Sequence, residues 1–192
     1  MSHWNILLRT IALLCGFTVL AGASWSVSPR YALLDKARVI EVEGPNLLKI
    51  KLLGRDRPVM IRLLGVGSPR NKDRMKSLNP EIVSYIQRHA LWKLSRNYVD
   101  SLLRDKVVEV WTRRWNQYDE KKRLLAYIVI PNGYDNSVDL NAEIIKRGLG
   151  FVTRDYVHVT FVRYKRLEEE AREKRRGIWK GLSMGRMSSL TR

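Results

Sequence analysis

A chain of 192 residues allows one folded domain with short attachments and excludes two large ones. Apolar residues make up 45% and charged residues 29%, which is a globular composition and neither a disordered nor a fibrous one. Lys and Arg number 36 against 19 Asp and Glu, so the formal charge of +17 favours polyanionic partners such as nucleic acid or anionic lipid and says nothing of the fold.

The run Thr10 to Pro29, TIALLCGFTVLAGASWSVSP, holds no ionisable side chain except the thiol of Cys15. It has the length, about 20 residues, of a helix that crosses a bilayer. Trp4 and Trp25 flank its apolar centre, as interfacial aromatics do. Residues 1–30 are therefore expected to form a membrane anchor of one transmembrane helix, with the lipid bilayer as partner. The competing reading is a secretory signal cleaved near Ala21-Gly22-Ala23. Arg9 precedes the span while Arg30, Lys36 and Arg38 follow it, a bias that puts the following domain on the cytoplasmic or matrix side. Cys15 is the only cysteine, so the rest of the chain has no thiol for a disulfide or a zinc site.

The folded domain is expected over residues 31–181, with 182–192 as a basic tail. From Ala37, Val39, Ile40 and Val42 interleave with Arg38, Glu41 and Glu43, and after the turn Gly44-Pro45-Asn46 the run LLKIKLL continues the alternation as a hairpin. A turn at Gly54 to Pro58 leads to a third strand, VMIRLLGV, and Gly67 to Asn79 reads as an irregular loop. Asn79-Pro80-Glu81 has the form of an N-cap, a Pro at the first helical position and an acid in the first turn. It predicts a helix through Arg104 with Ile82, Ile86, Leu91, Leu94, Tyr98 and Leu102 on the buried face. KVVEVWTRRW and RLLAYIVI predict two further strands, followed by the turn Pro131-Asn132-Gly133. A short helix from Leu140 to Arg147 stops at Gly148, FVT is a brief extended piece, and Phe161 to Arg176 predicts a last helix with Tyr164, Leu167 and Ala171 as its apolar seam. That helix carries Glu170 four residues before Lys174 and reads as a solvated, self-paired surface. Five strands with a helix between the third and fourth is the order of a five-stranded OB-fold barrel, here with three helices.

In VEVWTRRWNQY, strand alternation puts Trp111, Arg113 and Trp115 on one face, a stacking and cationic combination suited to single-stranded nucleic acid. The other reading has Trp111 packed in the barrel and the remainder covering a hairpin tip. His3, His89 and His158 have no metal-ligand spacing.

VMIRLLGVGSP, RLLAYIVIPNG, VDLNAEIIKRGLG and the closing GIWKG, in that order within Arg38 to Gly181, resemble the staphylococcal-nuclease-like family. The resemblance implies an OB barrel that cleaves phosphodiesters with a calcium ion, a water activated by a glutamate, and two arginines that neutralise the phosphate. Arg62 and Arg123 match the two arginines. The acids do not match. Where the family reads Asp-Gly-Asp-Thr this chain has Glu43-Gly44-Pro45-Asn46, and where it reads Asp-Thr-Pro-Glu this chain has Gly67-Ser68-Pro69-Arg70. The two ligand positions thus fall on Pro45 and Gly67 and the base on Arg70. General-base catalysis alone is worth about 10² to 10⁴ in rate, so no catalytic residue, no metal and no cofactor is expected. Asp119 and Glu120 read as solvating the turn that holds Lys121 and Lys122. What remains is a cationic pocket of Arg62, Arg70 and Arg123, able to hold a phosphate without hydrolysing it. The amino-terminal span, VDLNAEIIKRGLG and GIWK narrow the resemblance to membrane-anchored members with a degenerate site. This implies a single-pass membrane protein, mitochondrial for preference, with the endoplasmic reticulum or secretory pathway as the other location. The expected function is a catalytically inactive, membrane-anchored module that binds nucleic acid or another polyanion, or docks on a membrane-protein partner. The alternative is an active membrane-tethered endonuclease resting on Arg62 and Arg123.

Overall fold

The computed structural model describes residues 31–180 apart from 83, 116, 134 and 135. The expected anchor at 1–30, its signal-peptide alternative and the tail at 182–192 lie outside the described residues, among which no helix is long and apolar enough to cross a membrane. In chain order the elements are β1 (Tyr31–Gly44), β2 (Leu47–Leu52), β3 (Val59–Leu63), β4 (Val66–Gly67), α1 (Lys72–Leu78), α2 (Tyr85–Leu103), β5 (Val107–Arg113), β6 (Leu124–Ile130), β7 (Val138–Asp139), α3 (Leu140–Lys146), β8 (Phe151–Val152), α4 (Phe161–Glu173) and a 3-10 turn at Gly177–Trp179.

Five of these strands close a mixed barrel of the OB type in the order β3-β2-β1-β5-β6, shut by a parallel pairing of β3 with β6. β1 makes closure possible because it serves two neighbours: Tyr31 to Arg38 pair with β5, and Ala37 to Gly44 pair with β2. Register shifts between Leu33 and Asp35, Val39 and Glu41, and Val42 and Gly44 bend the long strand around the barrel. Period-two alternation turns Leu48, Ile50 and Leu52 of β2 and Val108 and Val110 of β5 into the interior. Asn141 at the start of α3 staples the closing seam. Fully buried, it donates to the carbonyls of Leu64 (2.9 Å) and Ala126 (3.3 Å) and accepts from the Ile128 N–H (3.2 Å).

The five barrel strands agree with the sequence reading, and several local expectations are corrected. β1 starts at Tyr31 and not at Ala37, because its first half is held by pairing with β5 and shows no clean alternation. The loop after the third strand contains α1, so the described residues hold four α-helices where three were expected. Its apolar signal is a single buried residue, Met75, too little to show as a period. Asn79 caps the end of α1 and does not open the next helix. α2 begins at Tyr85, with Ser84 and Gln87 forming a reciprocal capping box. Its buried positions are Arg88, Ser95, Val99 and Leu103, one step around from the expected face, which leaves Ile86 at 78% and Leu94 at 56% exposure.

Toward the carboxy end α3 stops as expected at Gly148, whose φ of +65° suits glycine. A side chain there would also strike the Arg176 carbonyl, so the chain after α4 lies directly against this turn, with the Ile178 N–H donating to the Gly148 carbonyl at 2.8 Å. α4 is only partly the solvated helix expected. Glu170 and Lys174 do pair at 2.7 Å. Glu168, by contrast, is buried, accepting from the Val152 N–H (2.9 Å), Lys165 (2.5 Å) and Arg172 (3.4 Å), and so ties the helix to β8.

Candidate functional site

β3 and β6 run parallel with Arg62 opposite Leu125, so Arg62 and Arg123 leave neighbouring strands close together. They meet over Asp119. Arg123 contacts its carboxylate through Nε (2.6 Å) and Nη2 (2.5 Å), while Arg62 Nη1 stands 4.0 Å away. Asp119 is no solvated turn residue. Its side chain is fully buried and also accepts the N–H groups of Lys121 and Arg123, each at 2.9 Å. Burial acts to raise its pKa, but the Arg123 bonds and these N–H donors outweigh that and hold the carboxyl below its ordinary range. Asp119 is therefore a fixed counter-ion that aims Arg123.

On its other side Arg62 Nη2 bonds Asp155 at 2.6 Å, and its guanidinium lies 5.2 Å from the Tyr156 ring centroid. Tyr156 donates its hydroxyl to Glu120 at 2.6 Å. Burial and this acceptor push the phenol up to about 12, and the same bond lowers the Glu120 carboxyl. Arg62 and Arg123 line a cavity of about 140 Å³ together with Arg74 of α1, Asn46, Ser68 and Asp155. That is roughly ten times the 10–15 Å³ one water needs, enough for a phosphate-sized anion.

Arg70 stands elsewhere. Its guanidinium lies 3.7 Å from the Trp92 ring centroid, and its Nη2 is 3.4 Å from His89 Nδ1, so the third cation of the pocket is Arg74. Asn71, the N-cap of α1, accepts from the Arg74 N–H at 3.1 Å, and that Asn three residues before Arg74 is the one sequence signal from which this helix and its cation could have been read. No comparable signal marks Asp155. Trp111 and Arg113 share a face of β5 as expected, but the strand ends at Arg113, so Trp115, 54% exposed, lies beyond it. Trp111 is half-buried against the barrel core and donates to Glu109 at 3.1 Å, while Arg113 Nη1 contacts the Val157 carbonyl at 3.4 Å.

The calcium implied by the resemblance wants six to eight oxygen ligands. The residues present do not fit it. Any side chain on Gly67 would overlap the Phe151 ring, Pro45 has no side-chain oxygen, and among the described residues no group of three His, Cys, Asp or Glu is arranged to hold an ion. The chemistry the pocket offers is electrostatic and hydrogen-bonding capture of an oxyanion.

A family model described as staphylococcal nuclease homologue matches residues 60–181, from β3 onward. No curated protein matches the chain.

Proposed function

The chain belongs to the staphylococcal nuclease homologues, and from that premise we propose that its barrel is a non-catalytic module that holds a phosphate of nucleic acid or of another polyanion. The observation that carries this reading is the convergence of Arg62, Arg74 and Arg123 on one cavity whose lining carboxylate, Asp155, is already engaged by Arg62. Three guanidinium groups match phosphate oxygens, and among the described residues neither a metal cage nor an uncommitted base stands beside them. Of the acids nearest the arginines, Asp119 is buried under four donor contacts and Glu120 accepts from Tyr156. In this reading residues 1–30 tether the module to a membrane, mitochondrial for preference. The support is a 20-residue, predominantly apolar run without charge and the basic residues that follow it.

The test uses the full chain and a labelled single-stranded DNA oligonucleotide, with and without calcium. Binding without cleavage is expected, weakened at least about tenfold by Arg62→Gln with Arg74→Gln, since charge-assisted bonds to phosphate are worth about 1.5–3 kcal/mol each. Arg123 is left in place because its loss would strand the buried Asp119. Calcium-dependent cleavage abolished by Arg62→Gln would establish the endonuclease instead. Absence of binding, with a stoichiometric membrane protein co-purifying, would establish the docking role.

A further inference from the structure

A second basic feature lies apart from the arginine pocket and shares no lining residue with it. α2, the end of α3 and the chain leaving α4 enclose a groove of about 720 Å³. Its cations are Lys146 and Arg147 on the α3 side and Lys174, Arg175, Arg176 and Lys180 on the other, against one lining carboxylate, Glu143. Six positive charges, against Glu143 in the lining and Glu170 bonded to two of the six, make a field that the overall excess of basic residues does not by itself produce, because here they line a concave wall. The lining also includes Leu94, Tyr98 and Leu149; Leu94 is 56% exposed, while Tyr98 donates its hydroxyl to Glu143 at 3.0 Å and carries the Arg147 guanidinium 4.7 Å from its ring centroid.

The walls are held by backbone and not by long side chains alone. Arg176 Nη1 donates to the Lys146 carbonyl at 3.0 Å, which joins the two sides. Arg175 sits at φ +49° in the turn after α4, and its N–H donates to the Arg172 carbonyl at 2.9 Å. The local carboxylates neutralise part of the set: Glu143 pairs with Arg147, and Glu170 with Lys174 and Arg176. Among the described residues Lys146, Arg175 and Lys180 make no ion pair within 4 Å, although Lys146 lies in the field of Glu143 and Glu170, and these three are the cations nearest to being available to a ligand.

We infer that this groove is a binding site for single-stranded nucleic acid, with the backbone phosphates on the cationic walls and bases against the exposed Leu94 and the Arg147 guanidinium that stacks on Tyr98. Cations tracking a backbone beside apolar and aromatic surface is the physical requirement for a strand with splayed bases. An anionic bilayer, the other polyanion compatible with the charge, would offer this groove single headgroups and not a continuous backbone, a difference that the test below resolves.

The test is fluorescence anisotropy of the full chain with a labelled 20-nucleotide uridine RNA, titrated over a range of potassium chloride. Each single-strand phosphate neutralised contributes about 0.7 to the slope of log affinity against log salt. Reversing Lys146, Arg175 and Lys180 to Glu is expected to reduce that slope by about 2 and to weaken binding at least about tenfold near 150 mM salt. Leu94→Ala is expected to weaken binding severalfold at unchanged slope, since it removes contact surface and no charge. Reversing three exposed cations elsewhere, Arg55, Arg57 and Lys106, changes net charge equally; an equal loss from this control would overturn the inference in favour of diffuse attraction. So would anionic vesicles that bind with the same sensitivity to the groove reversal while the RNA does not bind. Should the reversed protein unfold, Gln at the same three positions carries the test. Arg62→Gln with Arg74→Gln in the other pocket is expected to leave the groove's share of the slope intact, so failure of one site is separable from failure of the other.

Discussion

Arg62 has two carboxylate neighbours that differ in kind. Asp119 is buried and permanent, whereas Asp155 is half exposed and sits at the mouth, at 2.6 Å from Nη2. An incoming phosphate competes with Asp155 for the same guanidinium edge. Exposed ion pairs contribute about 0–1 kcal/mol, so Asp155→Asn is expected to leave the melting temperature within a degree or two. The same change is expected to tighten oligonucleotide binding by up to about fivefold, read in a direct titration; weaker binding would mean that Asp155 positions Arg62 and does not compete. His158 governs a different property. It is nearly buried beneath Gly65, with Nε2 3.1 Å from the Thr153 carbonyl, so that nitrogen carries the proton of a neutral ring. Burial lowers its pKa from 6.5 despite that bond. The unfolded chain therefore binds the proton more readily, and stability is complete above about 6.5 and drains away as pH falls from there through the folded value. Thermal unfolding between pH 7.5 and 5.5 should show this decline, and His158→Gln should flatten it across the same interval.

At the scale of elements, what was legible followed the length of each pattern. β2, β3, β5 and β6 carry runs long enough for alternation or continuous burial to show, and α3 has both a clear start and Gly148 at its end. α1 did not show, because seven residues with one buried side chain contain no measurable period, and with it went Arg74. The misplaced start of α2 has a related cause. Asn79 and Pro80 imitate an opening, but Asn79 is fully buried, donating to the Ile178 carbonyl at 2.7 Å, a contact 99 residues away that no local pattern carries. Arg62 and Arg123 were legible from their strand contexts, while Arg70 was assigned by sequence position alone, and the face of Trp92 supplies its guanidinium with a nearer partner. The seam between β3 and β6 depends on Asn141 in the same non-local way. Asn141→Ala removes the side-chain partner of the Leu64 carbonyl and the Ile128 N–H, while the Ala126 carbonyl keeps the Leu64 N–H at 2.9 Å, and each buried orphan costs about 1–3 kcal/mol. A loss of at least about 2 kcal/mol is expected, or about 5 °C in melting temperature for a domain of this size. A smaller change would mean that the parallel pairing closes the barrel unaided.

For the whole molecule, the charge of +17 and the proposed anchor at Thr10 to Pro29 would act on a membrane by different physics. Electrostatic attachment decays within a Debye length, about 8 Å at physiological salt, and weakens at high pH as the lysines lose their protons and the tyrosines ionise, although the arginines stay charged. A helix spanning the hydrocarbon is indifferent to both, because its hold is the burial of some twenty apolar residues. Alkaline carbonate extraction of membranes from cells that express the full chain therefore separates the two contributions. If residues 1–30 are the anchor, the full chain stays in the pellet after extraction, while a chain beginning at Tyr31 is released. That shorter chain retains β1 in full, so its barrel should still melt cooperatively. Release of the full chain with its mass unchanged would reduce the membrane to a charged surface. Release with a mass lowered by cleavage near Ala21 to Ala23 would identify a signal peptide, and the protein would then act on the far side of the membrane, where the arginine pocket and the basic groove face a different set of polyanions.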